Sequence, residues 1–436
     1  MYEGKSSRLF AKYAVPQMIG LLCNSVYLIV DGVFIGNCLG RDAMAAAAVA
    51  VPLVEMMIAL SMAVATGAGI LVSGCLGRSQ RDGAVCAFNL AFWLCGGMGL
   101  LLAVLGNVFI HPLARLFGST EEIHGMAVEY IRYIVTLSPF LLYSFLLSGL
   151  ARNDGRPKLA MVALAVGSAS NILLDYVFMV PLGMGIGGAA LATAVGPVFS
   201  VLILLPHFLC KRGALHFARP KLRWKEPGRI FALGFPSFIM EFTIGMVTFV
   251  YNFAIVRCGF GEMGLAAYLV IGYLMLIQLT LFLGMAEGLQ PVFSYLTATG
   301  EIIRRDALRR FSTAVFLAVS VAGYILIVLF GESFFGIFSP GDPELAAFAG
   351  EKSLLYFWGF SVAGFNILMI SYWQSIQSTG RALAVSLSRS LIMPPLLTFT
   401  LPAVFGADAL WLCHSLAECI TACMAFALLK ARHRRM

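Results

Sequence analysis

Twelve long apolar segments constrain the fold of this chain more than any other feature. Each is long enough to cross about 30 Å of hydrocarbon as a helix, and the chain is 60% hydrophobic and only 12% charged. A soluble domain usually carries about 25% charged residues. The sequence therefore predicts an all-α polytopic membrane protein. The predicted spans are 10–36, 44–75, 84–110, 126–150, 158–181, 187–210, 230–256, 264–296, 308–335, 347–374, 382–405 and 408–430.

Basic residues between these spans predict the orientation. If the N-terminus is cytoplasmic, twenty-four Lys and Arg residues fall on the cytoplasmic side and five on the outer side. This is a strong positive-inside bias. We therefore predict that both termini are cytoplasmic and that the protein lies in the cytoplasmic (inner) membrane. The formal charge of +8 is then explained by the basic residues on the cytoplasmic side of the membrane. We therefore expect no nucleic-acid partner.

The chain repeats itself at a spacing of about 220 residues. Pro16 in AVPQMIG corresponds to Pro236 in GFPSFIM, and DGR at 154–156 corresponds to TGR at 379–381. Two six-helix halves that start on the same side are parallel repeats, as in transporters whose bundles rock about a central cavity. We predict an N-lobe at 1–210, a basic cytoplasmic linker at 211–229 and a C-lobe with a basic tail at 230–436.

Three polar residues in the first half lie at a similar depth, and a fourth, Asn171, lies one turn deeper. Asn171 and Asp175 are four residues apart and share one helix face. At 1.5 Å per residue, Asp31, Asp175 and Thr193 lie in the outer half of the membrane. An ionisable residue at the centre of a membrane helix costs at least about 2.5–3.5 kcal/mol. These four residues therefore predict a Na+ site, or a proton held between carboxylates; the alternative is a structural hydrogen bond between helices.

Other polar groups within the spans are candidates for a cavity and its substrate. Some share the helix face of Asp31, and four are glutamates that either bond to a neighbouring helix or line the cavity. Arg389 is the one base that we expect within the membrane. An interior with more acids than bases favours cationic cargo over anionic cargo. The candidates are Asn24, Tyr27, Glu55, Glu241, Glu287 and Glu418.

Four stretches resemble the multidrug and toxic compound extrusion (MATE) family, and most of all its MepA-like branch. They are VDGVFIGNCLG at 30–40, ARNDGRPKLA at 151–160, SNILLDYVFM at 170–179 and GMAEGLQPVFSY at 284–295. The resemblance covers essentially the whole chain. It implies two pseudo-symmetric six-helix bundles arranged in a V, and an antiporter that exports amphipathic, mainly cationic compounds in exchange for H+ or Na+.

The same resemblance assigns the coupling site. The family's N-lobe cation site corresponds to Asp31, Asn171, Asp175 and Thr193. Some branches carry a further glutamate in the seventh helix, where this chain has Ile244, with Glu241 about one turn away. We expect small-molecule drugs and organic cations as cargo, no cofactor apart from the coupling ion, and a monomer in the lipid bilayer.

Two other functions compete with export of drugs. A flippase of related fold for lipid-linked oligosaccharide or another lipid would need Lys or Arg in its cavity for the pyrophosphate, and the spans offer almost none. A membrane-embedded enzyme would need a catalytic arrangement, but the chain has no HExxH or GxSxG motif. We therefore expect no enzymatic activity.

Overall fold

The computed structural model describes residues 4–218, 226–338 and 343–433. Parts of the predicted linker (219–225) and of the basic tail (434–436) lie outside the described residues. The first half contains α1 (Ser6–Leu39), α2 (Arg41–Gly77), α3 (Arg81–Val108), α4 (Ile110–Leu116), α5 (His124–Thr136), α6 (Ser138–Asn153), α7 (Pro157–Met179) and α8 (Gly185–Leu209).

The second half follows the same pattern. It contains α9 (Glu226–Arg257), α10 (Gly261–Ala298), α11 (Ile302–Phe338), α12 (Pro343–Phe357), α13 (Phe360–Ser375), α14 (Thr379–Leu387), a π-helical turn (Ser388–Ile392), α15 (Met393–Phe405), a 3-10 turn (Ala407–Leu412) and α16 (Cys413–His433). The described residues form no strand.

Twelve membrane crossings are present in the described residues. Ten helical stretches are each long and apolar enough to cross, and two further crossings consist of two helices joined at a bend of 47°. The bent pairs are α5 with α6 and α12 with α13. The prediction of an all-α protein with twelve spans is confirmed, and the chain is a multi-pass membrane protein.

The two bent crossings are the fourth of each half, and each bend has a local cause. Pro139 begins α6 and lacks the N–H that would continue α5. Gly359 lies at the other bend, where a Cβ atom would come 2.4 Å from the Cα of Ser415. Its own N–H donates to the Ser415 hydroxyl at 2.9 Å. A side chain at Gly359 would therefore force this bend away from α16.

A π-helical turn interrupts the crossing from Thr379 to Phe405. Pro394 and Pro395 follow it after Met393, and neither can donate a backbone hydrogen bond to the preceding turn. The missing bonds explain why the helix widens over Ser388–Ile392. Such turns are rare and frequently occur at functional sites.

The contacts divide the chain into two compact units. Unit 1 is Met1–Glu241 with Glu287–Ile302, and unit 2 is Phe242–Ala286 with Ile303–Met436. The divisions fall inside α9 and α10, because each of these helices contributes residues to both units. The lobe boundaries predicted from the sequence repeat stay a prediction.

Glycines allow helices of unit 1 to pack closely. A Cβ atom on Gly67 in α2 would lie 1.9 Å from the carbonyl oxygen of Ile230, and one on Gly234 in α9 would lie 1.7 Å from that of Ala63. Small residues permit such approach of backbones in membrane helices. These four residues therefore hold α2 directly against α9.

Candidate functional site

The close approach of α7 and α8 positions the first pair of polar side chains. A Cβ atom on Gly167 would lie 2.2 Å from the Ser200 hydroxyl oxygen and 3.0 Å from the Gly196 carbonyl oxygen. One turn further along α7, the side-chain amide of Asn171 donates to the Thr193 hydroxyl at 3.4 Å. The predicted proximity of Asn171 and Thr193 is therefore present.

The two carboxylates lie beside this pair. Asp31 on α1 is 7% exposed and Asp175 on α7 is 0% exposed. Their side chains are within hydrogen-bonding reach of each other. Two buried carboxylates this close repel each other unless a proton or a cation lies between them.

Several oxygen atoms of this cluster have no internal partner. Within the described residues, Oδ1 of Asp31, both carboxylate oxygens of Asp175 and Oδ1 of Asn171 are buried without a hydrogen bond. Buried polar atoms in native structures almost always have a partner. Carboxylate and amide oxygens are hard ligands that suit a cation, and a carboxylate can also take a proton. We call Asp31, Asn171, Asp175 and Thr193 the carboxylate site.

Tyr130 belongs to the same neighbourhood and was missed by sequence reasoning. It lies on α5, is 6% exposed, and its hydroxyl contacts the Thr193 side chain. Tyr130 is only a few residues from the predicted start of its span. Its distance from the outer end of its span is similar to that of Thr193, and this spacing is the sequence signal that identifies it.

A cavity of about 80 Å³ adjoins the carboxylate site within unit 1. Its wall is mainly apolar, with Phe145 and several Leu and Ile residues, and it contains three serines. The structure brings five of the predicted residues to this cavity, whereas Asp31 and Asp175 lie outside its lining. The five are Asn24, Tyr27, Glu55, Asn171 and Thr193.

The remaining glutamates have different surroundings. Glu287 on α10 accepts a hydrogen bond of 2.8 Å from Gln17 and lies 3.4 Å from an Arg152 guanidinium nitrogen. Glu241 on α9 is half-buried and within electrostatic range of Glu55 and Glu287. Unit 1 therefore contains a group of three acids outside the carboxylate site.

Two arginines with glutamate partners are largely buried. Arg152, counted from the sequence among the cytoplasmic charges, is only 7% exposed and is enclosed by α1, α6 and α10. The second of them is Arg389, whose side chain is 10% exposed. It lies in unit 2, with its Nε atom 2.8 Å from Oε1 of Glu418. Each of these two arginines is paired with a glutamate, because an unpaired buried charge is strongly unfavourable.

A conventional metal centre is not present in the described residues. No group of three or more His, Cys, Asp or Glu side chains is close enough there to hold a metal ion. The carboxylate site has only two acidic ligands, supplemented by neutral oxygens. That donor set suits a monovalent cation or a proton better than a transition metal.

Comparisons with known proteins agree with this fold. Residues 16–177 match the MatE family. The multidrug export protein MepA of Staphylococcus saprophyticus is 24% identical over 421 residues, which cover 95% of this chain and 91% of the relative. MepA of Staphylococcus haemolyticus is 23% identical and covers 100% of this chain and 95% of the relative.

Solved structures show the same architecture. A multidrug resistance MATE family transporter of the MOP superfamily superposes with a TM-score of 0.92 at 20% identity, over 98% of this chain and 96% of the other. A MATE transporter of Vibrio cholerae superposes with a TM-score of 0.91 at 17% identity, over 99% of this chain and 98% of the other. The chain is a polytopic membrane protein that shares the fold of these two solved structures. Residues 16–177 of the chain are therefore similar to the MatE family, and nearly the whole chain is similar to MepA multidrug export proteins.

Proposed function

We propose that this chain is a secondary active multidrug efflux transporter. It exports amphipathic, mainly cationic organic compounds in exchange for H+ or Na+, which binds at Asp31, Asn171, Asp175 and Thr193. Support comes from the MepA relatives, which are named as multidrug export proteins. The single observation that carries the coupling role is the set of buried, unpartnered oxygens of Asp31, Asn171 and Asp175.

The coupling step follows from charge. A cation or proton between Asp31 and Asp175 relieves their repulsion and draws α1 towards α7. Removal of the ion restores the repulsion and favours a looser arrangement of the same helices. A ligand shifts such an equilibrium only by its different affinity for the two states. The carboxylate site provides that difference because its two charges are buried together.

The charge of the interior supports cationic cargo. Glu55 lines the cavity of unit 1, and Glu241 lies nearby. The buried Arg152 and Arg389 are already paired with Glu287 and Glu418. A flippase would need basic groups available for a pyrophosphate, so these pairings disfavour that alternative.

The remaining assignments rest on the sequence. The twenty-four to five distribution of basic residues supports cytoplasmic termini in the inner membrane. Both halves of the transporter lie in one chain, so a monomer is sufficient for transport. No step of this function requires enzymatic chemistry or a bound cofactor.

Efflux from proteoliposomes tests the proposal. Purified protein is reconstituted, and efflux of a cationic dye is followed with the Na+ gradient and the H+ gradient imposed separately. We expect efflux with one of the two gradients, and none in Asp175→Asn. Asp82→Asn, which removes an exposed carboxylate at the start of α3, is the matched control. Gradient-driven efflux by Asp175→Asn at the wild-type rate would refute the coupling role.

A further inference from the structure

Unit 2 contains a buried charge cluster that the proposed function does not use. Glu418 on α16 is 1% exposed. Its Oε1 atom lies 2.8 Å from Nε of Arg389, and its Oε2 atom accepts a hydrogen bond of 2.7 Å from Asn366. Oε2 is therefore hydrogen-bonded, whereas Oε1 has the ion pair with Arg389 but no hydrogen bond among the described residues. The charges of Glu418 and Arg389 cancel.

A histidine faces the same carboxylate. His414 lies one turn before Glu418 on α16, with its Nε2 atom 3.9 Å from Oε1. Its ring contacts the rings of Tyr356 and Phe360, at centroid distances of 4.8 and 5.1 Å. His414 is 7% exposed, and neither ring nitrogen has a hydrogen-bond partner among the described residues.

The unpartnered imidazole needs a physical explanation. A neutral imidazole carries one N–H donor and one acceptor nitrogen, and burial of either without a partner is unfavourable. Packing against Tyr356 and Phe360 would be served equally well by a phenylalanine. Ionisable residues at membrane depth commonly belong to proton relays.

We propose that His414 and Glu418 together bind one exchangeable proton and form a second proton site, in unit 2, separate from the carboxylate site. The proton comes from solvent and adds to a lone pair of the His414 Nε2 atom or of the Glu418 Oε1 atom. No covalent bond of the protein breaks, and the charge of the cluster rises from zero to plus one. The proton belongs to the pair because the Nε2 atom of His414 and the Oε1 atom of Glu418 are only 3.9 Å apart.

Arg389 makes this site sensitive to protonation. A protonated His414 and Arg389 compete for the same Oε1 atom of Glu418, so uptake of the proton weakens the existing ion pair. Arg389 lies in the π-helical turn Ser388–Ile392, where the usual helical hydrogen bonds are already interrupted. Protonation at α16 thereby biases the crossing that contains α14 and α15.

Other polar residues lie around the proton site and between it and the solvent. The tyrosine rings of Tyr251 and Tyr268 contact that of Tyr356, at centroid distances of 5.9 and 6.0 Å. Four residues before Tyr356 on α12, Lys352 lies 2.7 Å from Asp408, whose side chain is 72% exposed. Asp408 precedes His414 by six residues. The proton site therefore lies less than two turns from a solvated ion pair.

Proton uptake by the purified full-length protein in lipid nanodiscs tests the inference. The pH of a weakly buffered sample is lowered from about 8 to about 3, which extends below the range in which histidines ordinarily change charge, and bound protons are counted with an indicator dye. We expect His414→Gln to bind one proton fewer per chain than the wild type. His216→Gln, which removes a partly exposed histidine, calibrates the loss of one proton.

A second variant tests the sharing with Glu418. Arg389→Gln/Glu418→Gln removes both charges and retains similar side-chain volumes, so it avoids an unpaired buried arginine. The ¹³C resonance of His414, identified by its absence in His414→Gln, should titrate with a shifted midpoint in this double variant and an unshifted one in Asp175→Asn. Equal proton counts for wild type and His414→Gln, or an unshifted midpoint in the double variant, would overturn the inference. The proton count does not depend on efflux, so failure of the proposed function would be seen separately.

Discussion

Gln17 donates a hydrogen bond of 2.8 Å to Glu287, although the two residues are 270 positions apart. Arg152 completes the group, since it donates to Gln17 at 2.7 Å and pairs with Glu287 at 3.4 Å. The group joins α1, α6 and the end of α10 within unit 1. Glu287 therefore has a structural role in this arrangement as well as a charge that affects the cargo.

Glu287→Gln should destabilise the protein. The substitution leaves Arg152 buried without its counter-charge, and breaking a buried pair costs about 3 kcal/mol or more. We expect a lower melting temperature of the purified protein, measured by intrinsic fluorescence. Arg152→Gln/Glu287→Gln should recover much of the loss, because it removes both charges. A double variant less stable than Glu287→Gln would contradict the pairing.

Gly167→Ala should disrupt the carboxylate site without touching a ligand. The added Cβ atom would overlap the Ser200 hydroxyl and lie 3.0 Å from the Gly196 carbonyl oxygen. Ser200 must therefore change its rotamer, and α8 must shift by a few tenths of an ångström beside Asn171 and Thr193. We expect ion-coupled efflux to fall about tenfold or more, as for the loss of about 1.4 kcal/mol of ion binding. Gly97→Ala, where a Cβ atom meets nothing within 4 Å, is the control and should behave as wild type.

Tyr130→Phe should moderately weaken binding of the coupling ion. The variant keeps the ring but removes the hydroxyl that contacts Thr193, a loss of about 1 kcal/mol or about fivefold in affinity. The half-saturating concentration of the driving ion in efflux assays should rise by that factor, with little change in melting temperature. An unchanged ion dependence would show that Tyr130 only fills space.

Glu55→Gln should reduce the preference for cationic cargo. Glu55 lines the cavity of unit 1, and its charge favours a nearby organic cation by about 1 kcal/mol or more. The KM for a cationic dye should rise severalfold, whereas that for a neutral analogue should stay constant. Glu121→Gln, an exposed substitution, should change neither value. Equal changes for both dyes would point to a packing effect instead.

Two native cysteines can test the orientation. Cys38 and Cys210 are both exposed, and they lie near the outer end of α1 and the cytoplasmic end of α8 in the predicted topology. An impermeant maleimide added to intact cells should label Cys38 and spare Cys210, as read by peptide mass mapping. Permeabilised cells should label both. Labelling of Cys210 from outside would reverse the predicted orientation.

Hydropathy and helical periodicity, which are properties of the sequence alone, determined the number of crossings and the relative positions of several site residues. The length of the apolar segments located the twelve crossings, because a segment that crosses a membrane must satisfy its backbone hydrogen bonds within its own helix. Helical spacing placed Asn171 and Asp175 on one face, and counting from helix ends brought Thr193 to the same level. These properties are local, so a single sequence is sufficient to derive them.

Only the tertiary structure decided which buried polar side chains are partners of one another. Apolar segments do not encode which helices meet, so Arg152 was assigned to a cytoplasmic loop although it is buried against Glu287. The contact of Tyr130 with Thr193 and that of His414 with Glu418 depend equally on packing. Desolvation is the physical reason: a buried charge must find a partner on whichever helix packs beside it, and packing is a property of the whole fold.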